Sequence, residues 1–287
     1  MIVGVVIVYS FLFRILSNYP SAKLCAAVFA DVTSANVVGY QNTTMQSGLG
    51  KFSLVSVPFA HVNADGKGIM LNKDITVQGA ADPAWGDPDK SDQIWVWNGV
   101  GDISYYWYEG SDAPGDETGW WGYSTGNLFE TDYKNGLPEN AAFIFLARTS
   151  DAKVLVGSGA VDPREEISKE VPKNGFTQTA NGYPVAFQPN NKKQFLLKGA
   201  SDPAFGDPDK SDQLWVWNGV GYISYYWYEG SDTPGDETGW WGYSTGNLFE
   251  TDYPNGIPSG SAFMIKANNV ETEREAIYYS PLAKEDK

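Results

Sequence analysis

The sequence contains almost none of the side chains on which nucleophilic and zinc-dependent catalysis most often depend. Cys25 is the only cysteine and His61 the only histidine among the 287 residues. One cysteine excludes an internal disulfide and a cluster of thiolate ligands, and one histidine excludes a zinc site with two imidazoles. A single histidine also cannot supply a Ser–His–Asp centre twice, which matters because the chain is internally repeated.

Positive charge is also scarce. The chain has 20 Lys and Arg against 35 Asp and Glu, which gives a formal net charge of −15. Binding to a nucleic-acid backbone or to an anionic membrane surface requires clustered Lys and Arg, so we expect neither partner. A chain this acidic instead attracts divalent cations.

An apolar run at the amino terminus, Ile2–Phe13, is too short to span a membrane as a helix, which needs about 20 apolar residues. One interpretation is a secretory signal, formed by this run or by residues 24–30, with cleavage after Ala30 or Ala35. The mature protein would then be secreted to the extracellular space or the cell surface, with no membrane span.

The other interpretation is a retained β-strand, because Val and Ile dominate the run. A strand outside the repeats needs a sheet edge, and in an assembly that edge can belong to the next copy, as in donor-strand complementation. The residues of this predicted assembly strand are Ile2, Val3, Val5, Val6, Ile7, Val8, Tyr9, Phe11 and Phe13. Composition alone leaves both interpretations open.

The chain contains a long internal repeat. A block of 54 residues, Ala80–Tyr133, returns as Ala200–Tyr253 with five substitutions and a constant displacement of 120. A copy at a fixed period is typical of one folding unit built twice. We predict an apolar amino-terminal segment at residues 1–30, a first β domain at 31–150 and a second at 151–287, with a linker-like stretch at 163–182.

The composition favours an all-β fold. Gly and Pro are frequent, with 31 and 16 residues, and aromatic residues make up 15% of the chain. This mixture is typical of short strands joined by tight turns, and no segment has helical periodicity over three turns. The sequence therefore predicts two tandem antiparallel β domains, each a sandwich or a barrel, that arose by internal duplication.

Two segments of the first block alternate in the manner of strands. In residues 93–99, Ile94 and Val96 face one side while Trp95 and Trp97 face the other. The short link at 98–101 predicts a hairpin with residues 103–109. In that second segment the two alternating sets are Ile103, Tyr105 and Trp107, and Ser104, Tyr106 and Tyr108.

Carboxylates flank this hairpin at the start of its first strand and at the end of its second, so both clusters are expected at the same end of the sheet. Carboxylates gathered there repel one another unless a cation compensates them, and Ca²⁺ binds six to eight oxygen ligands. The alternative is a set of solvated turns in which Asp side chains accept hydrogen bonds from backbone amides.

Under the first interpretation a structural Ca²⁺ ion is the predicted cofactor of each unit. Its candidate ligands are Asp82, Asp87, Asp89, Asp92, Asp112, Asp116 and Glu117 in the first block, and Asp202, Asp207, Asp209, Asp212, Asp232, Asp236 and Glu237 in the second.

All 11 Trp residues lie in the two blocks. Aromatic residues in small β domains are most often core, because each buries roughly 150–250 Å². Exposed rings can instead form a subunit contact or a platform that stacks on sugars, with a carboxylate nearby to accept hydroxyl hydrogen bonds. The candidate ligand or interface residues are Trp95, Trp97, Trp120, Trp121, Trp215, Trp217, Trp240 and Trp241.

Hydrolysis by paired carboxylates needs only two acidic residues, about 5 Å or roughly 6.5–9.5 Å apart. Two complete active sites in two small tandem domains would be unusual, so we expect no enzyme and name no catalytic residues.

Short motifs at the edges of the repeat resemble those of uncharacterised secreted tandem β-repeat proteins of environmental bacteria. Residues 34–44 (SANVVGYQNTT) are similar to the start of their mature chains, and residues 257–266 (IPSGSAFMIK) to the end of their units. Residues 137–146 are a weaker copy of the second motif. The resemblance implies export and a β fold, and it implies no catalytic residues. A resemblance to donor-strand pilus subunits concerns architecture alone.

Two functions follow from the sequence. The first is an extracellular structural subunit that polymerises with itself into a filament or surface layer by donating Ile2–Phe13 to a neighbouring copy. The alternative is a tandem carbohydrate-binding protein whose exposed Trp and Tyr rings contact glycans.

Overall fold

The computed structural model describes residues 38–59, 68–111, 113–137, 141–231, 233–268 and 273–281. In these ranges the chain is all-β, with 16 strands and three helices of four residues each. The expectation of an all-β chain is confirmed. The predicted assembly strand at Ile2–Phe13 lies outside the described residues.

Ten elements form the first unit. They are β1 (Val38–Met45), β2 (Lys51–Ser56), α1 (Leu71–Asp74), β3 (Ile75–Gln78), β4 (Gln93–Trp97), β5 (Asp102–Tyr108), β6 (Gly119–Gly122), α2 (Phe129–Asp132), β7 (Ala142–Ala147) and β8 (Lys153–Ala160).

Nine elements form the second unit. They are β9 (Glu166–Val171), β10 (Phe176–Ala180), β11 (Phe195–Lys198), β12 (Gln213–Trp217), β13 (Tyr222–Tyr228), β14 (Gly239–Gly242), α3 (Phe249–Asp252), β15 (Ala262–Lys266) and β16 (Arg274–Tyr279).

Each unit contains one five-stranded and one three-stranded antiparallel sheet. The strand orders are β2-β7-β4-β5-β6 and β1-β8-β3 in the first unit, and β10-β15-β12-β13-β14 and β9-β16-β11 in the second. The predicted hairpin is confirmed, with Gln93 opposite Tyr106 in β4 and β5. The same register places Gln213 opposite Tyr226 in β12 and β13.

The two sheets of each unit share one hydrophobic core. In the first unit Ile94 from the five-stranded sheet and Leu155 from the three-stranded sheet belong to the same buried cluster. Leu214 and Ala276 belong to the corresponding buried cluster of the second unit. The alternation predicted from the sequence is confirmed in β4, where Ile94 and Val96 are buried and Trp95 is only half-buried.

Two boundaries differ from the sequence interpretation. Strand β8 lies beyond the proposed boundary at residue 150, yet it pairs with β1 and β3 and therefore belongs to the first unit. The proposed linker at 163–182 contains β9 and β10, which are strands of the second unit. The first error arises because strand pairing between distant segments leaves little trace in the local sequence.

The charged composition of residues 163–182 concealed β9. Ile167 and Val171 of this strand are buried, and Lys169 stands between them on the inner side. The Lys169 Nζ donates to the backbone oxygen of Gln178 at 2.8 Å, and burial lowers the pKa of Lys169 to about 8. A lysine with an apolar stem can occupy such an inward position when its amine reaches a carbonyl.

The two units pack against each other through the outer faces of their five-stranded sheets. Small and apolar side chains from β2, β7, β10 and β15 form a shared cluster that includes Leu54, Ala180 and Ala262. Trp217 Nε1 donates across this junction to the backbone oxygen of Phe52 at 3.1 Å. Among the described residues no helix has the length and apolar character that crossing a bilayer requires.

Candidate ligand-binding surface

The structure separates the eight candidate Trp residues into buried and half-buried sets. Trp120 and Trp240 are each 1% exposed and belong to the two cores. In each core the buried indole packs edge to face against a second one, for example Trp120 against Trp107 at 5.1 Å. Their position removes Trp120 and Trp240 from any surface platform, because a ligand would reach them only by opening the core.

Asparagine side chains hold the edge strands β6 and β14 in place. The Asn72 Oδ1 accepts the backbone N–H of Trp120 at 2.7 Å, and the Asn190 Oδ1 accepts that of Trp240 at 2.7 Å. Because successive side chains of a strand point to opposite sides of the sheet, the residue that follows each buried Trp points away from the core. Those following residues are Trp121 and Trp241, which are half-buried.

Trp95, Trp97, Trp215 and Trp217 lie on the outer faces of the five-stranded sheets and are half-buried. The Trp95 indole donates to Gln93 Oε1 at 2.8 Å, and Trp215 donates to Gln213 Oε1 at 2.6 Å. Because Trp217 bonds to the first unit, it is a junction residue rather than a ligand-binding one.

The half-buried and exposed rings of β5, of β6 and of the residue that follows β6 form a surface that we call the first aromatic face, made of Tyr106, Tyr108, Trp121 and Tyr123. Tyr106 lies directly opposite Trp121 in the sheet, and the Tyr108 ring meets Trp121 edge-on at 6.1 Å and 88°. The Trp121 indole donates to the backbone oxygen of Glu117 at 2.8 Å, which fixes its orientation.

The second unit repeats this surface as the second aromatic face, made of Tyr226, Tyr228, Trp241 and Tyr243. The Tyr228 and Trp241 rings meet at 6.2 Å and 90°, and the Trp241 indole donates to the backbone oxygen of Glu237 at 2.8 Å. The sequence interpretation named Trp121 and Trp241 and expected exposed Tyr rings without assigning them to positions. The alternation of β5 carried that signal, since it places Tyr106 and Tyr108 away from the core.

Carboxylates border both faces. The Tyr108 hydroxyl donates to Asp116 Oδ1 at 2.5 Å, and the backbone N–H of Ser111 donates to Asp116 Oδ2 at 3.0 Å. Hydrogen bonds from Ser111 and Tyr108 lower the pKa of Asp116, and the same Asp116 bond raises the pKa of Tyr108. Asp236 is held in the same way by Tyr228 and Ser231.

The two acidic loops of the first unit meet at one end of the sheet, as the hairpin predicted. Asp82 is 5% exposed and accepts hydrogen bonds from the Gly86 N–H and the Ser91 hydroxyl, both at 2.7 Å. The Glu109 N–H approaches Asp82 Oδ2 at 3.4 Å and joins the loop after β5 to the loop before β4. Desolvation and the Asp82 charge raise the pKa of Tyr106.

The loop closed by Asp82 presents an aromatic ring to solvent. Trp85 is 79% exposed, and its backbone has a positive φ of 51°, a conformation that is unusual for a bulky residue. Phe205 occupies the same place in the second unit, with 78% exposure and the same φ of 51°. The sequence interpretation missed both residues.

Other candidate calcium ligands already have cationic partners. Asp92 is fully buried and lies 2.7 Å from Lys153 Nζ, and Asp212 is fully buried and accepts from Arg274 Nε at 2.8 Å. Asp87 pairs with Lys90 at 2.8 Å on the surface. These ion pairs balance the charges of Asp92, Asp212 and Asp87 within the protein.

No group of three or more His, Cys, Asp or Glu residues is arranged to hold a metal ion within the described ranges. Asp112 and Asp232 lie outside those ranges. Asp89 is exposed and stands 3.4 Å from the Tyr123 hydroxyl, while Asp209, Asp207 and Glu237 lie at the matching loops of the second unit.

No family model matches the chain, and neither a curated protein nor a solved structure matches it.

Proposed function

We propose that this chain is an extracellular glycan-binding protein whose two aromatic faces each contact a sugar. The observation that carries the proposal is a row of half-buried to exposed rings bordered by carboxylates, present in both units. Tyr108 and Trp121 in the first unit have the same mutual geometry as Tyr228 and Trp241 in the second.

The chemistry of the faces suits sugars. A pyranose ring has apolar C–H faces that stack on aromatic rings, and its hydroxyls donate to carboxylates such as Asp89 and Asp116. The indole N–H groups of Trp121 and Trp241 are already bonded to backbone oxygens, so these residues offer their ring surfaces rather than a donor. We infer that the internal duplication supplies two equivalent sites, which increases avidity for a polymer.

A glycan array probed with the purified full-length chain tests the proposal. We expect selective binding by the parent protein and at least tenfold weaker binding by the double variant Trp121→Ala/Trp241→Ala. The matched control is Val100→Ser/Val220→Ser, which alters exposed apolar side chains at the opposite end of each hairpin. The control should bind like the parent.

Absence of binding to every glycan would reject the proposal. Binding that survives in the Trp121→Ala/Trp241→Ala protein would place the site elsewhere and would reject the role of the faces.

Assembly by strand donation is the second candidate function. Its support is the apolar run Ile2–Phe13 together with the open sheets of the described residues, whose strand orders end in edge strands such as β3. An open edge presents unpaired backbone groups to an added strand. Deleting residues 2–13 should leave folded monomers, and light scattering that still detects high-mass assemblies would reject this candidate.

Export and calcium binding also stay proposals. The resemblance of residues 34–44 and 257–266 to secreted β-repeat proteins supports secretion. Calcium, as a structural ion, would raise the melting temperature more than NaCl does at equal ionic strength. Equal shifts in the two salts would remove calcium from the proposal.

A further inference from the structure

The carboxylates beside the first aromatic face are not neutralised by the protein. Lys90 is the only basic residue between Ala80 and Tyr133, and it pairs with Asp87 at 2.8 Å. Within the described ranges, Glu109, Asp116 and Glu117 form no ion pair with Lys or Arg. Glu109 is exposed and its charge is therefore available to a ligand, whereas Asp116 and Glu117 are half-buried.

The second face has the same imbalance. Lys210 is the only basic residue between Ala200 and Tyr253, and it pairs with Asp207 at 3.0 Å. By contrast, the buried carboxylate of Asp212 does have a cation, the guanidinium of Arg274. The protein supplies cations to Asp92 and Asp212 in its cores, whereas the described carboxylates that border the faces have none.

Each face is extended by an exposed ring at the tip of the neighbouring loop. Gly86 follows Trp85, and a Cβ added to Gly86 would lie 3.2 Å from the Tyr108 ring, so the loop rests against the first face. The second tip carries Phe205, with nearly the same exposure as Trp85. The Phe side chain has no N–H donor, unlike that of Trp. The property that both loop tips share is therefore an exposed aromatic ring surface.

An exposed π surface beside uncompensated carboxylates is suited to a cation. Ammonium groups are attracted to the negative face of an aromatic ring, and they form charge-assisted hydrogen bonds with carboxylates. A neutral sugar can donate hydroxyl hydrogen bonds to these carboxylates but does not balance their charge, and an acidic sugar is repelled by them. Charge complementarity therefore selects among the glycans that the aromatic faces can stack on.

We propose that the ligand of the two aromatic faces is a glycan that carries free amino groups. This inference rests on the proposed glycan-binding function. The ammonium groups lie against the Trp85 or Phe205 ring and pair with Glu109 or Glu229, both of which are exposed.

Four probes of equal length test the inference on the full-length chain: a glucosamine oligomer, its N-acetylated form, a uronic acid oligomer and a Lys-rich peptide. We expect the free-amine oligomer to bind at least tenfold more tightly than the acetylated one at low salt. The advantage should shrink in high salt, because the screening length falls from about 10 Å at 0.1 M to about 3 Å at 1 M.

Two double variants distinguish the contribution of the exposed rings to binding from that of the exposed carboxylates. Trp85→Ala/Phe205→Ala should weaken binding of the free-amine oligomer several-fold. Glu109→Gln/Glu229→Gln should reduce the preference for the free amine over the acetylated form. The control Asp151→Asn/Glu170→Gln removes the same amount of charge from exposed positions outside the aromatic faces and should keep the preference.

The outcomes are distinguishable. Equal or tighter binding of the acetylated oligomer overturns the amino-glycan inference and leaves glycan binding intact. A Lys-rich peptide that binds as tightly as the glucosamine oligomer overturns the inference too, because charge alone would then suffice. Failure of all three oligosaccharides to bind overturns it, and failure across the whole glycan array rejects the proposed function itself.

Discussion

The Nζ atom of Lys153 lies 2.7 Å from Oδ2 of Asp92, and both side chains are fully buried. Asp92 also accepts the backbone N–H groups of Ala81, at 3.0 Å, and Arg148, at 2.6 Å. The pair therefore fastens the acidic loop before β4 to the strand β8, which closes the first unit. In the second unit, Arg274 and Asp212 occupy the corresponding positions.

Removal of the Lys153 amine should strongly destabilise the protein. Lys153→Met leaves the Asp92 carboxylate buried without its cation, and loss of one partner of a buried pair costs about 3–5 kcal/mol. Urea unfolding of the full chain measures this loss. The control Lys90→Met breaks the surface pair with Asp87, whose lysine side chain is 66% exposed, and should leave the unfolding midpoint unchanged. Equal midpoint shifts in the two variants would contradict the prediction.

Two adjacent tryptophans should differ sharply in their contribution to stability. Trp120→Ala removes a core side chain that is 1% exposed, and such a truncation costs about 3–5 kcal/mol. Trp121→Ala changes a half-buried ring on the aromatic face and should lower the free energy of unfolding by less than half as much. Thermal unfolding followed by circular dichroism compares the two variants. A larger loss in Trp121→Ala would show that the face is part of the core.

Asp102 should make stability depend on pH. Desolvation raises the pKa of Asp102, whose side chain accepts from Gln178 Nε2 at 3.2 Å across the junction. A carboxyl group whose pKa is raised by folding stabilises the folded protein at pH values below its unfolded-state pKa. This stabilisation is lost as the pH rises through the folded-state pKa. Asp102→Asn removes that loss, so we expect a higher melting temperature than the parent at pH 7 and no difference at pH 3.

The control for the Asp102 prediction is Asp151→Asn, which removes one exposed negative charge. This variant measures how much the melting temperature rises when one negative charge is removed from any exposed position of this acidic protein. If Asp151→Asn raises the melting temperature at pH 7 as much as Asp102→Asn does, the junction has no specific effect.

The two units should unfold together as long as their junction is intact. Ala180 is fully buried in the cluster shared by both units, so Ala180→Glu places an unpaired charge there. We expect calorimetry to show one transition for the parent and two for Ala180→Glu. The matched control Ala186→Glu changes an exposed alanine of the same unit and should keep one transition. Two transitions in the parent would show that the units are independent.

Local sequence patterns predicted the central part of each unit well. The alternation at 93–99 and 103–109 predicted the hairpin and the opposite orientations of Ile94 and Trp95. These features depend on residues that are neighbours in sequence, so their signal is local. The membership of β8 and β9 depends on pairing with distant strands, which the local pattern does not report.

The candidate surface was predicted only in part, for a similar reason. Trp120 and Trp121 are adjacent residues between Gly119 and Gly122, and no local pattern indicates which of the two belongs to the core. The backbone bond from Trp120 to Asn72, 48 residues away, fixes which one is buried. The exposed Trp85 depends on a positive φ held by the Asp82 side chain, which a composition rule cannot detect.

A calorimetric titration of the full chain with a short oligosaccharide that binds on the array tests the central proposal most directly. We expect two equivalent sites per chain for the parent protein, and one site of unchanged affinity for the variant Trp241→Ala/Tyr243→Ala. A single site in the parent, or two sites that persist in the variant, would contradict the assignment of glycan binding to the paired aromatic faces.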